Sequence, residues 1–278
     1  MSEFSIKNHR LIGPVTYHTT KKTSGEITPK FLVIHYTAGS SFHNDVVTLS
    51  TSSVQASCHL VIGPKGEVAQ IGKLNANLWH AGKSSWRGYT NLNSYSIGIE
   101  VSCPGPVEMI DDQGNIATIK YWWGKTATVP KYTLVYAPPR NGGKAQWWVQ
   151  FTPEQIEKVI DIGLLLMHHY GLQEAVGHDQ IAPDRKIDPG PCCPQSVFDI
   201  LNGRVTDEAF DPATPTLGMA TVANTNYEGL NFRDAPNGRV TGLLPEGTVV
   251  EVLREDGNWA QVRTPAGYVG WVFRKYLI

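Results

Sequence analysis

No apolar stretch among the 278 residues approaches the roughly 20 needed to cross a bilayer as a helix. The opening segment Met1-Ser2-Glu3-Phe4-Ser5-Ile6-Lys7 lacks an apolar core of the signal-peptide kind, so export, if it occurs, is expected to use another route. Net charge is missing too. Lys and Arg number 24 against 25 Asp and Glu, a balance of −1, and with no long basic run there is no electrostatic case for nucleic acid or an anionic membrane as partner. Four cysteines are too few for a disulfide framework in a chain of this length, and the adjacent Cys192 and Cys193 could bridge each other only with strain. What is left, 41% hydrophobic and 18% charged residues, is the composition of a soluble globular chain long enough for two domains.

The most informative stretch runs Gly177-His178-Asp179-Gln180-Ile181-Ala182-Pro183-Asp184-Arg185-Lys186-Ile187-Asp188-Pro189-Gly190. It places an imidazole, an ammonium and a carboxylate in one loop. Imidazole and carboxylate are both good Zn²⁺ ligands, and a catalytic zinc commonly takes three protein ligands and leaves a position for water. The best candidate for the third is His35, near the end of the apolar run Phe31-Leu32-Val33-Ile34-His35-Tyr36, because such runs read as buried strands. A similar run, Ser94 to Val101, carries Glu100. A buried carboxylate without a partner is costly, and the task that fits it is general base toward a metal-activated water.

Each residue also has a purely structural explanation. His178 could bridge polar groups, Asp188 before Pro189 could start a turn, Lys186 could be a solvated charge, Glu100 half of an ion pair and His35 a satisfied core histidine. All of these must hold together for the site to vanish. His59 and His80 sit on or beside apparent strands and could enter the metal shell, with His59 expected to be structural. Cys192 and Cys193 compete with Asp188, since thiolates bind zinc well. His168 and His169 close a helix, where positive charge is favourable.

The set Leu32-Val33-Ile34-His35-Tyr36-Thr37-Ala38-Gly39, Trp79-His80-Ala81-Gly82, Ser96-Ile97-Gly98-Ile99-Glu100 and Gly177-His178 through Pro189-Gly190 resembles the zinc-dependent N-acetylmuramoyl-L-alanine amidases of the type 2, AmpD-like family, over residues 25 to 200. The order of the four fragments and the ten-residue step from His178 to Asp188 make the resemblance specific. It implies His35, His178 and Asp188 as Zn²⁺ ligands, Glu100 as base and Lys186 as stabiliser of the developing oxyanion. Lys186 and Asp188, two residues apart, would point to the same side of an extended segment. Trp79 and His80 lie in a motif that lines the family's cleft and are expected to contact substrate, or, for His80, to support the metal shell. Other branches use a Cys ligand and a Tyr beside the metal. Here those positions hold Asp188 and Cys58, which favours the carboxylate branch.

The implied reaction is hydrolysis of the amide between N-acetylmuramic acid and L-alanine in peptidoglycan stem peptides, with peptidoglycan or soluble muropeptides as partner. The rival reading is a non-catalytic peptidoglycan-binding protein, which retention of Glu100 and Lys186 beside all three ligands disfavours. A cysteine peptidase would need a nucleophilic Cys at a helix start, whereas Cys58 falls in an apparent strand. The setting is either cytoplasmic recycling or delivery to the cell wall by a non-classical route.

The expected fold class is α/β, a mixed sheet flanked by helices with the metal at the strand ends, followed by a small all-β barrel. A core helix should run from the N-cap Thr152 to Tyr170, with Ile156, Val159, Ile160, Gly163, Leu164 and Met167 as its buried face. A shorter helix is expected over Asn44 to Val54, before a hairpin of His59–Ile62 and Glu67–Ile71. The segment between Val101 and Phe151, rich in Trp, Tyr, Gly and Pro, should form a hairpin or a cleft wall, its tryptophans divided between core and substrate stacking. Residues 1–203 form the expected catalytic domain and 204–218 a linker. Five short strands follow over residues 219–278, where Leu230-Asn231-Phe232-Arg233-Asp234-Ala235-Pro236 and Gly270-Trp271-Val272 resemble the bacterial SH3 domain, a family that binds cell-wall peptides or packs on its enzyme.

Overall fold

The computed structural model describes residues 3–39, 41–51, 53–203, 217–225, 229–233, 235–238, 240–244, 246–264 and 269–278. Most of the expected linker, and Asp234 and Tyr268 of the expected barrel, lie outside these residues. The chain divides into two compact units, residues 1–105 with 154–204 and residues 106–153 with 205–278.

The first unit is built on a six-stranded mixed sheet in the order Glu174–Gly177, Phe31–Tyr36, Ser96–Val101, Leu60–Ile62, Val68–Gln70, Val15–Tyr17. The first four strands run parallel to one another, and the hairpin of Leu60–Ile62 with Val68–Gln70 supplies the antiparallel step. Parallel strands covered on both faces read as continuous apolar runs. Accordingly Phe31, Leu32, Val33 and Ile34 are all fully buried. Side chains alternate along a strand, so Phe31, Val33 and His35 share one face. Phe31 and Val33 pack there with Ala81, Leu92, Val176 and Ile181.

The helix Pro153–Tyr170 covers the other face. Gly163 lets it approach closely: a Cβ there would fall 2.6 Å from Leu201 Cδ2 and 3.4 Å from Leu32 Cδ2. Gln155, buried on the same helix, donates from Nε2 to the carbonyl of Ser102 at 2.8 Å and ties it to the segment after Glu100. The buried face differs from the expected one. It consists of Gln155, Ile156, Val159, Ile162, Gly163 and Leu166, while Leu164 is exposed. Every residue from Val159 to Met167 except Asp161 is apolar or glycine, so the period alone does not choose a face. The shorter helix spans Phe42–Ser50 and begins earlier than expected because Ser41 Oγ accepts from the Asn44 N–H and caps it.

In the second unit, residues 106–153 form an antiparallel sheet in the order Thr126–Pro130, Ile116–Lys120, Pro106–Asp112, Gln146–Val149, Leu134–Ala137. It has its own apolar cluster of Val107, Ala117, Ile119 and Leu134. Trp148 is fully buried and donates from Nε1 to the Ala137 carbonyl at 2.9 Å, whereas Trp122, beside the Tyr121–Lys125 turn, is 72% exposed. The barrel has six strands among the described residues, in the order Gly218–Thr221, Val249–Asp256, Trp259–Arg263, Val269–Phe273, Leu230–Arg233, Val240–Leu244. The last of these, in a Gly-containing stretch, is one more than expected. The barrel core gathers Val222, Leu230, Val250, Ala260, Val262 and Val272. Within this unit the strand Leu134–Ala137 lies against Val240–Leu244. Division by compactness therefore runs along a different line from the sequence boundaries at 203 and 219. Among the described residues no helix is long and apolar enough to cross a membrane.

Candidate metal centre

The site sits where the parallel strands end, the usual position for function in open α/β sheets. Gly177 pairs with Ile34, so His178, the next residue, emerges level with His35 on the neighbouring strand. Glu100 is the register partner of His35 on the other side. Three adjacent strands thus deliver His178, His35 and Glu100 in a row.

Asp188 is brought in by the loop. Its carbonyl accepts from the Asp179 N–H at 2.7 Å, and the turns Ala182 N–H to His178 O and Lys186 N–H to Ala182 O, both 3.0 Å, fold the intervening residues back. His35, His178 and Asp188 are all buried. His35 Nδ1 lies 2.9 Å from His178 Nδ1 and 3.1 Å from Asp188 Oδ2, and His178 Nδ1 lies 3.0 Å from Asp188 Oδ2. Among the described residues this is the one group of three such donors gathered closely enough to hold a metal ion. Cys58, Cys103, Cys192 and Cys193 are buried free thiols, and none belongs to the group.

The donor set fits a divalent cation such as zinc. Two imidazole nitrogens facing each other cannot both be satisfied without a proton or cation between them, and the spacing suits an ion about 2 Å from each donor. Burial and the neighbouring His178 push the His35 imidazole down to about 4, against the attraction of Asp188, so it is neutral near pH 7 as a ligand must be. Burial pushes Asp188 up, but its close contacts with the His178 and His35 imidazoles outweigh this and hold the carboxyl well below the usual carboxylate range.

Glu100 behaves differently. Its Oε2 is shielded from solvent and has no hydrogen-bond partner. Burial raises its carboxyl well above the ordinary value, the charge of Asp188 adds to this, and Lys186 opposes it. Lys186 is thus close enough for its charge to be felt at both Glu100 and His35.

His80 is buried behind His35, with its Nδ1 3.0 Å from His35 Nε2. The indole of Trp79 is half-buried, and its backbone N–H is anchored on Ser57 Oγ at 2.9 Å. His59 accepts from the Gly98 N–H at Nδ1 and donates from Nε2 to the Ala76 carbonyl, both at 2.9 Å, which satisfies both nitrogens within the scaffold.

Two contributors had no role in the sequence reading. Asn93 Oδ1 accepts from the N–H groups of His80 and Ala81, at 3.1 and 2.7 Å, and shapes the turn that carries His80. The Arg185 guanidinium donates to the carbonyls of Ala81 and Lys83 and lies 3.3 Å from His178 Nε2. Their partners are distant in sequence, so only the folded chain shows them; the position of Arg185 within the loop motif was the available hint.

A family model described as N-acetylmuramoyl-L-alanine amidase matches residues 25–191, and one described as bacterial SH3 domain matches residues 228–278. The chain is 34% identical over 174 residues to the N-acetylmuramoyl-L-alanine amidase AmiD of Escherichia coli K12, covering 59% of this chain and 50% of that one. It is 26% identical over 153 residues to the 1,6-anhydro-N-acetylmuramyl-L-alanine amidase AmpD of the same organism, covering 55% and 62%. The solved structure of a selenomethionine derivative of AmpD aligns with a TM-score of 0.50 at 19% identity, over 71% of this chain and 98% of that one, and shares its fold. The chain spans half the length of AmiD and 62% of that of AmpD.

Proposed function

The chain belongs to the N-acetylmuramoyl-L-alanine amidase family, and from that premise we propose that it cleaves the amide between N-acetylmuramic acid and L-alanine of peptidoglycan stem peptides, with Zn²⁺ held by His35, His178 and Asp188. The observation that carries the proposal is the convergence of two imidazole nitrogens and a carboxylate oxygen within 2.9–3.1 Å, with Glu100 level with them on the adjoining strand.

When bound, zinc supplies a water acidified to a pKa of about 7 and a Lewis acid for the amide carbonyl. Glu100 takes the proton of the attacking water and passes it to the departing amine. The absence of a hydrogen-bond partner on Oε2 suits that exchange, and the raised carboxyl pKa suits a group that must hold the proton between the two steps. The Lys186 ammonium offsets the negative charge that grows on the former carbonyl oxygen. Trp79, half-buried on the residue before His80, is read as a substrate contact.

The barrel at 219–278 is read as a cell-wall-binding part. It favours intact murein over small muropeptides, because holding the polymer raises the local concentration of cleavable bonds without new contacts at the metal. Purified protein incubated with insoluble murein and with a soluble muropeptide, with and without a chelator, tests the proposal by mass spectrometry of the products. Stem peptides released with a free L-alanine amine, lost on chelation and restored by zinc, are the expected result. Glycan and peptide that stay joined while zinc is bound would overturn it in favour of a non-catalytic peptidoglycan-binding protein.

A further inference from the structure

The two ring nitrogens of His80 face different partners. Nε2 lies 3.3 Å from the carbonyl of Ser96 and 3.4 Å from Ser96 Oγ, whose own proton goes to the Leu92 carbonyl at 2.6 Å. A carbonyl only accepts, so this nitrogen carries the proton. Nδ1 is left with its lone pair, 3.0 Å from Nε2 of His35. That contact is favourable only if His35 is protonated on Nε2, which bares His35 Nδ1, the atom that meets His178 and Asp188. A backbone carbonyl that cannot change its role therefore determines, through His80, which nitrogen of His35 is offered to a cation. Nε2 of His178 is placed differently, 3.1 Å from the Ala81 carbonyl and 3.3 Å from the Arg185 guanidinium, so no carbonyl alone fixes its tautomer.

Room for this relay is built into the strand that bears Glu100. A Cβ on Gly98 would fall 2.5 Å from His80 Nδ1 and 2.6 Å from its Cγ, so the ring rests on bare backbone. Glycine inside a buried strand is otherwise unfavourable, and this close approach accounts for it. The ring of His59 meets His80 edge to face at a centroid distance of 5.5 Å while holding the Gly98 N–H, and so confines both. With both nitrogens engaged and the residue only 7% exposed, His80 has neither one left for substrate or metal.

We infer that His80 is a positioning residue that holds His35 in the tautomer and orientation needed for metal binding, an inference that rests on the zinc reading above. Partners of this kind, when removed, weaken metal affinity by roughly 10- to 100-fold. His80→Asn keeps an acceptor oxygen near the position of Nδ1, whereas His80→Gln moves the amide out toward the position of Nε2 and leaves His35 Nε2 without its acceptor.

The test uses the full metal-free chain and two readouts that do not involve turnover. Ring ¹⁵N chemical shifts of His35 report its tautomer, and titration with Zn²⁺ against a competing chromophoric chelator reports affinity. The expected result is His35 protonated on Nε2 in the unaltered protein, a mixture of tautomers and zinc affinity lower by about 10- to 100-fold in His80→Gln, and recovery of most of that loss in His80→Asn. Thermal unfolding of the metal-free variants separates this from a merely structural role, which would lower stability in both and leave affinity alone. Gly98→Ala, which displaces the ring without altering either histidine, should weaken zinc as His80→Gln does. A His35 protonated on Nδ1, or wild-type zinc affinity in His80→Gln, overturns the inference. Failure of the unaltered chain to bind zinc overturns the zinc reading itself, whereas zinc binding untouched by His80→Gln overturns only the role of His80.

Discussion

Glu100 and His35 are register partners on neighbouring parallel strands, so their side chains leave the sheet on the same face, level with each other. The residue assigned as base is thereby set beside a proposed metal ligand by backbone pairing alone. Replacing Glu100 with Gln should lower kcat by roughly 10²- to 10⁴-fold and leave zinc affinity near wild type, because the amide keeps the shape and loses only the basicity. Steady-state rates on a muropeptide together with a zinc titration check this. Loss of zinc in step with activity would make Glu100 a support of the metal instead of the base.

Asp188 supplies the one anionic donor of the three. Loss of a partner to a ligand costs roughly 10- to 100-fold in affinity, and loss of a ligand should exceed that, so Asp188→Asn is expected to bind zinc at least about 100-fold more weakly. Metal content after dialysis against a weak chelator is the measurement. Full retention of zinc by Asp188→Asn would return the buried thiols to consideration as donors.

Burial pushes the His59 imidazole down to about 4, with the Ala76 carbonyl opposing and His35 adding. The folded pKa lies below the unfolded value of about 6.5, so the neutral ring contributes stability above the unfolded value that is lost as pH falls toward the folded one. By linkage the loss between pH 6.5 and pH 4 is about 3 kcal/mol. Urea unfolding of the metal-free protein across that window should show it, and His59→Gln, less stable at neutral pH, should have the shallower slope. Equal slopes would mean that His59 titrates alike in both states.

The tryptophans of residues 106–153 should separate cleanly. Trp148→Ala removes a fully buried indole whose N–H has a partner and should cost about 3–5 kcal/mol. Trp122→Ala should change stability by no more than about 0.5 kcal/mol and weaken sedimentation with insoluble murein by roughly 2- to 10-fold. Unchanged murein binding would remove Trp122 from the recognition surface.

The proposed ligands and Glu100 stand out in the sequence because each sits in a short segment whose local pattern already says strand end or turn. Parallel strands buried on both faces announce themselves as apolar runs, and a polar residue at the end of one stands out. His80 was legible only as a member of a motif. Its engagement with His35 and Ser96 depends on a fold-back that local sequence does not describe, and the same holds for Asn93 and Arg185. The long helix is legible in extent but not in its buried face: from Val159 to Met167 every residue but Asp161 is apolar or glycine, so the period offers several faces, and packing of Gly163 against Leu32 and Leu201 selects one. Residues 106–153 read in sequence as a hairpin or wall, and the five strands they form are too polar on their exposed faces to count from the pattern alone.

Residues 106–153 leave the chain between the strand that bears Glu100 and the helix that covers it, yet they cluster with the C-terminal barrel, where Leu134–Ala137 lies against Val240–Leu244. A truncation after residue 203, the natural way to isolate an amidase part, would cut through a folded body instead of between two. Exchanging the C-terminal strands for another module would therefore also involve residues 106–153, which the chain inserts between the two stretches of its first unit.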